Sequence, residues 1–198
     1  MTGADLTPEL IWAGYCQGYF PMTVYENEIE WLAPRRRALI PIEGIHVSHS
    51  LRKVMRKGTF EVTFDKCFTD VIRACIRPSD NWLSEDFVRA YSEVHEQGWA
   101  HSCEAWLDGE LAGGVYGVAV GSCFCAESMF HRATDASKIA LHALVEKCGT
   151  LDFTVFDVQI MNPHLKSLGA YEVGHQRYLN MLKDALARTT VWSQRAPS

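Results

Sequence analysis

The chain has 198 residues, of which 47% are hydrophobic and 22% are charged, and its formal net charge is −5 at pH 7. This composition is typical of a globular protein, and no stretch approaches the ~20 consecutive apolar residues of a membrane span. The acidic balance argues against wholesale nucleic-acid binding. Basic residues still cluster locally, at 34–37 and 52–57, and such a patch can hold a phosphate backbone.

The cysteines predict a reducing compartment. All seven are scattered along the chain, and no CxxC pair occurs. This pattern argues against a zinc site and against a disulfide scaffold. The first ten residues also lack the basic and apolar regions of a secretory signal. We therefore expect a cytoplasmic protein with buried thiols and no metal.

Short, mixed elements are predicted in the first half of the chain. Thr7 and Pro8 form the start signal of a helix that Gly18 stops. Ser48 or Ser50 caps a basic helix that runs to about Lys57. The remaining predictions are strands in "IEWLAP", "RALIPI" and "FEVTF", an amphipathic helix in "DKCFTDVIRACI" and a helix from Ser84 to "HEQG".

The second half has a more regular pattern. Three strand-like runs fill residues 101–130, with a tight turn at Asp108-Gly109. A helix "DASKIALHALVEKCG" stopped by Gly149, a strand "TVFDVQI", a short helix "PHLKSLG", a strand "AYEV" and a last helix at about 176–187 follow. This order is that of the acyltransferase fold built around a splayed mixed sheet. We predict an α+β protein, with a small N-terminal α/β domain at 1–58 and a GNAT-like domain at 59–198.

The strand at 154–160 places two polar side chains inside an apolar run. Asp157 and Gln159 are two residues apart, so in a strand they point to the same face. Taken alone, the pair indicates either an edge strand with a wet face or a functional site.

The loop before the helix at 135–149 argues against acyl-CoA. Acyl-CoA enzymes of this fold hold the pyrophosphate on a glycine-rich loop at the helix N-terminus. The corresponding "ESMFHRATDASK" has no glycine, and Asp135 is the predicted N-cap, where it would repel a diphosphate. We therefore expect another acyl carrier and no CoA.

Seven blocks together resemble the bacterial leucyl/phenylalanyl-tRNA–protein transferases. They are "GYFPM", "EWLAPRRRA", "FEVTFDKCFTDVIRAC", "HEQGWAHSCEAW", "GGVYGVAVGSCFCAESMF", "ASKIAL" and "DVQIMNPHLKSLGA", in order along nearly the whole chain. The resemblance implies transfer of leucine or phenylalanine from aminoacyl-tRNA to the α-amino group of proteins with N-terminal Arg or Lys, which marks them for degradation (the N-end rule). The ester is already activated, so neither metal nor cofactor is expected.

The resemblance also implies roles for two groups near the reacting atoms. Asp157 and Gln159 match the catalytic strand pair, with Gln159 at the attacking amine or tetrahedral centre and Asp157 orienting it. Glu127 is expected to bind the cationic N-terminal residue of the acceptor. Glu104 is the alternative for that role.

Further positions are implied for the tRNA donor. Those matching the donor side-chain pocket and the terminal-adenosine site are Trp31, Trp82, Val115 and Phe124. A basic stripe of Arg52, Lys53, Arg56 and Lys57 is expected to contact acceptor-stem phosphates.

Three other interpretations remain open. An aminoacyl transferase acting on N-terminal Asp or Glu, or on another amine, would need Arg or Lys near the cleft. A non-catalytic protein that binds tRNA or N-degrons would lack the Asp157/Gln159 pair. An acyl-CoA N-acetyltransferase is disfavoured by the missing phosphate loop. We expect a monomer with no membrane partner.

Overall fold

The computed structural model describes residue 2 and residues 5–25, 28–76 and 84–192. The helices found there are α1 (Pro8–Cys16), α2 (His49–Arg56), α3 (Phe68–Cys75), α4 (Glu85–Glu96), α5 (Ala136–Thr150), α6 (Pro163–Ser167) and α7 (His175–Leu186). The strands are β1 (Phe20–Tyr25), β2 (Glu28–Leu32), β3 (Arg36–Ile40), β4 (Glu61–Phe64), β5 (Ala100–Leu107), β6 (Glu110–Val120), β7 (Cys123–His131), β8 (Val155–Asp157) and β9 (Tyr171–Gly174).

Seven strands form one mixed sheet in the order β4-β5-β6-β7-β8-β3-β9, while β1 and β2 form a separate antiparallel pair. Neighbours in the large sheet are antiparallel except β7 and β8, which are parallel. The predicted α+β class with a mixed sheet is confirmed. The domain boundary at residue 58 stays a prediction. Strand β3 precedes that boundary and lies between β8 and β9, so residues from both sides share the sheet.

Helices cover both faces of the sheet. One buried cluster joins residues of α1, α3, α4 and α7 to the sheet, and a second joins residues of α2, α5 and α6. Alternate side chains of β7 enter the two clusters, as the pleat of a strand requires: Cys123 and Cys125 enter the first, Phe124 and Ala126 the second. In the described part of the chain, no helix combines the length and the apolar character needed to cross a bilayer.

The predicted helix starts are confirmed at the side chains that cap them. Thr7, Ser48 and Asn162 each accept a hydrogen bond from a backbone N–H in the first turn of α1, α2 and α6. Glycines with φ of 83° and 91° follow α1 and α6, at Gly18 and Gly169, where a left-handed residue ends a helix.

One predicted helix end is wrong, and one strand lacks a sequence prediction. Helix α5 does not stop at Gly149 but continues to Thr150, and the chain turns left-handed at Asp152, with φ of 61°. Aspartate tolerates this conformation better than most residues, so no glycine is needed. Strand β1 was not predicted, because Pro21 interrupts its pattern; a two-stranded pair tolerates a proline that a central strand would not.

Candidate active site

The site lies where two parallel strands separate. The register of β7 and β8 ends at the pair Cys125 and Asp157. Beyond it, the chain stays bound to β3, because Val158 N–H donates to the Ala38 carbonyl at 2.9 Å and Ala38 N–H donates to the Gln159 carbonyl at 3.0 Å. A cavity of about 780 Å³ opens between β7 and this segment.

Asp157 and Gln159 do not share a strand face, so that expectation is wrong. Strand β8 ends at Asp157, and Gln159 has a φ of 55°, in the left-handed region. This turn breaks the two-residue alternation. As a result, the Asp157 carboxylate is fully buried, while Gln159 lines the cavity.

The Asp157 carboxylate is saturated by buried donors. Arg37 Nε and Nη2 donate to it at 2.9 and 2.7 Å, and the Tyr178 hydroxyl donates at 2.7 Å. The Gln159 backbone N–H donates to Asp157 Oδ1 at 2.9 Å, the oxygen that Arg37 Nε also contacts. Asp157 therefore anchors the backbone of Gln159, whereas the carboxamide of Gln159 bonds to Glu127 instead.

Arg37 is buried, although its sequence pattern indicated a residue of an exposed basic cluster. Its side chain is 1% exposed and lies between the rings of Phe20 and Tyr178. Burial disfavours the guanidinium charge, but the adjoining Asp157 carboxylate raises the pKa of Arg37 above its usual value. The sequence signal for this partner was indirect, since a buried carboxylate in a strand requires a buried cation.

Glu127 is placed by a bulge in β7. Gly117 of β6 pairs with Ala126 and Tyr116 pairs with Ser128, which leaves Glu127 as the extra residue. Such a bulge redirects a side chain, and here the Glu127 carboxylate lines the cavity. The Gln159 carboxamide Nε2 donates to Glu127 Oε1 at 2.6 Å and so bridges the opening between the strands.

Two buried tyrosines complete the surroundings of Glu127. The Tyr91 hydroxyl donates to the Glu127 carboxylate at 3.4 Å, and the Tyr15 and Tyr91 hydroxyls are 2.8 Å apart. Burial raises the pKa of Glu127 from 4.5 to about 7, and hydrogen bonding from the tyrosines offsets only part of this effect. Sequence reasoning missed both residues, because nothing local distinguishes them from core aromatics.

We expect Glu127→Gln to change the pH dependence of stability. The folded-state pKa of about 7 exceeds the unfolded value, so the wild type loses stability as pH rises between about 4.5 and 7. The variant lacks this loss, and its free energy of unfolding relative to wild type should improve by up to about 3 kcal/mol from pH 5 to pH 8. Urea denaturation at both values measures the difference. Parallel pH dependences would contradict the assignment.

Both apolar and polar side chains line the cavity. Its apolar lining includes Val115, Met129, Leu141, Val158 and Leu165. Its polar lining, besides Glu127 and Gln159, includes Ser128, His131, Ser137, Asn162 and His164. An apolar group can therefore be held beside a carboxylate and a carboxamide, which suits transfer of an apolar acyl group.

Two matches to one known protein family cover most of the chain. A family described as leucyl/phenylalanyl-tRNA protein transferase matches residues 39–183, and its N-terminal domain matches residues 4–35. The chain belongs to this family. It is therefore an aminoacyltransferase.

Relatives in this transferase family match along nearly the whole chain. A leucyl/phenylalanyl-tRNA–protein transferase of Herpetosiphon aurantiacus is 45% identical over 182 residues, which cover 91% of this chain and 95% of the relative. One from Akkermansia muciniphila is 46% identical over 186 residues, covering 91% and 96%. Among solved structures, a ribosomal-protein-alanine N-acetyltransferase of Brucella melitensis biovar Abortus 2308 matches with a TM-score of 0.32 at 13% identity, over 82% of this chain and 97% of that one.

The residues predicted for the transferase's donor site occupy different surroundings. Val115 lines the cavity, whereas Trp31 and Phe124 are not among its described lining residues. Phe124 is fully buried and stacks on Phe156, and Trp31 packs against Gly14 of α1. Trp82 lies outside the described residues. The roles assigned to all four stay predictions.

Glu104 and the basic stripe lie apart from the transferase's cavity lining. Glu104 is buried, and its carboxylate accepts hydrogen bonds from Ser102 at 2.5 Å and Thr63 at 2.6 Å. Its carboxylate therefore bonds to neighbouring residues of the sheet. The predicted helix cations are all exposed, on the side of α2 opposite its buried Leu51; they are Arg52, Lys53, Arg56 and Lys57.

A second group of ionisable side chains could hold a metal ion by spacing alone. Asp65, His95 and His101 bring ligand atoms within 4.8 Å of one another. These atoms already bond within the protein: His101 Nδ1 lies 2.9 Å from Asp65, and Trp192 Nε1 donates to Asp65 at 2.8 Å. These bonds anchor Trp192, which also stacks on His101. The expectation of no metal stays a prediction.

Proposed function

We propose that the chain transfers leucine or phenylalanine from aminoacyl-tRNA to the α-amino group of proteins whose N-terminal residue is Arg or Lys. The observation that supports this most is the cavity at the strand separation, where an apolar wall adjoins the Glu127–Gln159 pair. No cofactor is proposed, because the aminoacyl ester is itself activated.

The apolar wall suits the donor side chain. Val115, Met129, Leu141 and Leu165 offer aliphatic and thioether surface without a charged group. Leucine and phenylalanine are both unbranched at Cβ and can enter a narrow apolar space that a β-branched side chain fits less well. Burial of such a side chain contributes roughly 1.5–3 kcal/mol to donor binding.

The charge at the cavity suits a cationic acceptor. Glu127 is the carboxylate among the described lining residues, and these residues include neither Arg nor Lys. Burial, together with Lys138 and His131, lowers the pKa of His164, which favours its neutral form. The lining offers an N-terminal Asp or Glu neither Arg nor Lys, whereas an N-terminal Arg or Lys would find a carboxylate.

The chemistry needs positioning more than acid–base power. The neutral α-amine attacks the ester carbonyl carbon, the C–N bond forms, and the C–O bond to the tRNA ribose breaks. The proton lost by nitrogen ends on the ribose hydroxyl that leaves. Gln159 is suited to contact the amine or the oxyanion, and Asp157 holds its backbone in place.

The exposed cations of α2 are proposed to contact tRNA phosphates. We expect Lys53→Ala/Arg56→Ala to weaken tRNA binding and to reduce the slope of log K against log salt by about 0.7–0.9 for each phosphate that the variant no longer neutralises. Filter binding over a salt series measures both effects. The control is Arg73→Ala/Glu85→Ala, which also replaces two exposed charged side chains, an ion pair between α3 and α4, but leaves the net charge unchanged. An unchanged salt slope in the α2 variant would assign these cations to a solvated surface.

The function is tested by transfer of radiolabelled leucine from Leu-tRNA to peptides that begin with Arg, Lys, Asp, Glu or Ala. Incorporation confined to the Arg and Lys peptides is the expected result. Incorporation into the Asp or Glu peptides would retain the aminoacyl transfer and reject the proposed role of Glu127. Binding of tRNA with no incorporation into any peptide would favour a non-catalytic binding protein.

A further inference from the structure

The Gln159 carboxamide can present either of two chemically opposite atoms to the cavity. Its backbone is fixed on both sides, because its N–H donates to Asp157 and its carbonyl accepts from Ala38. The terminal carboxamide, in contrast, can turn about its last torsion, which has a broad two-fold profile. One orientation presents the carbonyl oxygen, an acceptor, and the other presents the NH2 group, a donor.

The partner of this carboxamide selects between the two orientations. Glu127 Oε1 lies 2.6 Å from Gln159 Nε2. An ionised carboxylate can only accept hydrogen bonds, so it requires the NH2 group of Gln159 and turns the carbonyl oxygen away from itself. A protonated carboxyl can donate to that oxygen, which would turn the NH2 group outward instead.

Several groups face the Glu127 carboxylate and set its ionisation. Tyr15 from α1 and Tyr91 from α4 hydrogen-bond to it, and the charges of Asp157 from β8 and Arg37 from β3 act on it through space, as it acts on Tyr116 from β6. The Tyr116 hydroxyl is buried and has no hydrogen-bond partner among the described residues. Burial dominates and raises the pKa of Glu127 to about 7, so both forms are populated near neutral pH.

We propose that Glu127 is a positioning residue whose ionisation sets the orientation of the Gln159 carboxamide. In the ionised form, the Gln159 carbonyl oxygen faces the cavity and accepts a hydrogen bond from the attacking amine. In the protonated form, an NH2 group faces the amine, donor meets donor, and the productive arrangement is lost. The inference rests on the proposed function and adds to it a role for Glu127 that is distinct from binding the acceptor side chain.

The test compares kcat at saturating acceptor for wild type and Glu127→Gln, using Leu-tRNA and an Arg peptide, at pH 8 and pH 5.5. The ratio of the two kcat values is used because titration of the acceptor amine affects both enzymes equally and cancels. With a pKa of about 7, the ionised fraction of Glu127 falls about 30-fold between these pH values. The wild-type to variant ratio should fall by up to this factor, because kcat reports the enzyme–substrate complex, in which a bound acceptor cation lowers the pKa of Glu127. The exposed Glu93→Gln on α4 is the control, with a ratio independent of pH.

Repeating the comparison in enzymes that also carry Gln159→Gly shows whether Glu127 positions the Gln159 carboxamide or itself removes the proton from the amine. If Glu127 acts through Gln159, the pH-dependent ratio disappears when both enzymes also carry Gln159→Gly. A ratio that still falls in this background would overturn the proposal and would make Glu127 a direct base. A kcat ratio that does not change with pH, whether residue 159 is Gln or is replaced by Gly, would overturn it as well. So would a Glu127→Gln variant in which only KM increases. No transfer by wild type at either pH would reject the proposed function itself, and the inference with it.

NMR of the wild type tests the proposal without turnover, and so without any variant that could fail to fold. In wild type, one Gln159 side-chain amide proton donates to a carboxylate, and its NMR signal should move upfield as pH falls through about 7. Signals of Gln159 that do not move between about pH 5.5 and 8.5 would contradict the proposal whatever the kinetics show.

Discussion

Replacing Arg37 with methionine should destabilise the protein by about 3–5 kcal/mol and abolish transfer. The substitution leaves the Asp157 carboxylate, 0% exposed, without the cation that donates to it at 2.7 and 2.9 Å. Breaking a buried ion pair on one side carries this cost because the remaining charge stays desolvated. Urea denaturation and the leucine-transfer assay measure the two effects.

Two variants serve as controls for this result. Arg36 is the preceding residue on β3, and its ion pair with Glu172 is exposed, so Arg36→Met should cost less than about 1 kcal/mol. The double variant Arg37→Met/Asp157→Leu removes both charges and should recover much of the stability. It should not recover transfer, because the Gln159 backbone no longer has its anchor. Equal losses of stability in the Arg36 and Arg37 variants would contradict the assignment.

Replacing Gln159 with glycine should separate activity from stability. The residue has a φ of 55°, a conformation that costs a non-glycine residue roughly 1 kcal/mol, and glycine removes this strain. That gain offsets the missing hydrogen bond to Glu127, so the free energy of unfolding should change by less than about 1 kcal/mol. Transfer should fall by about 10²–10³-fold, the usual effect of removing a group preorganised for the transition state.

Asp152→Gly is the matched control for this glycine substitution. Asp152 also has a left-handed backbone, with a φ of 61°, and lies in the exposed turn after α5. Relief of its strain should stabilise the protein slightly and leave transfer unchanged. If Gln159→Gly retained transfer within about threefold of wild type, the carboxamide would have no part in the reaction.

Local sequence signals predicted most of the elements, because their ends are set by neighbouring residues. Thr7, Ser48 and Asn162 cap helices through their own side chains, and the Asp108-Gly109 turn joins β5 and β6 as predicted. The resemblance to the transferase family also singled out Glu127 and Gln159 as candidates, and the structure brings their side chains together at 2.6 Å. The resemblance did not predict the hydrogen bond between them.

The features missed at the site arise from contacts distant in sequence. Asp157 meets Arg37 across 120 residues, and Glu127 contacts Tyr91 across 36. Neither partner has a local signature: Arg37 lies in a basic run, and Tyr91 lies among apolar helix positions. The bulge at Glu127 and the left-handed turn at Gln159 also break the two-residue alternation from which strand faces are predicted.

A crystal structure with a leucyl-adenosine analogue tests most directly whether this cavity is the donor site. The analogue carries an amide in place of the ester, so that it is not consumed. The predicted result has the leucyl side chain between Val115, Leu141 and Leu165, with its carbonyl carbon beside the Gln159 carboxamide. An analogue bound outside the cavity, or one with its carbonyl turned away from Glu127 and Gln159, would contradict the assignment of this cavity as the active site.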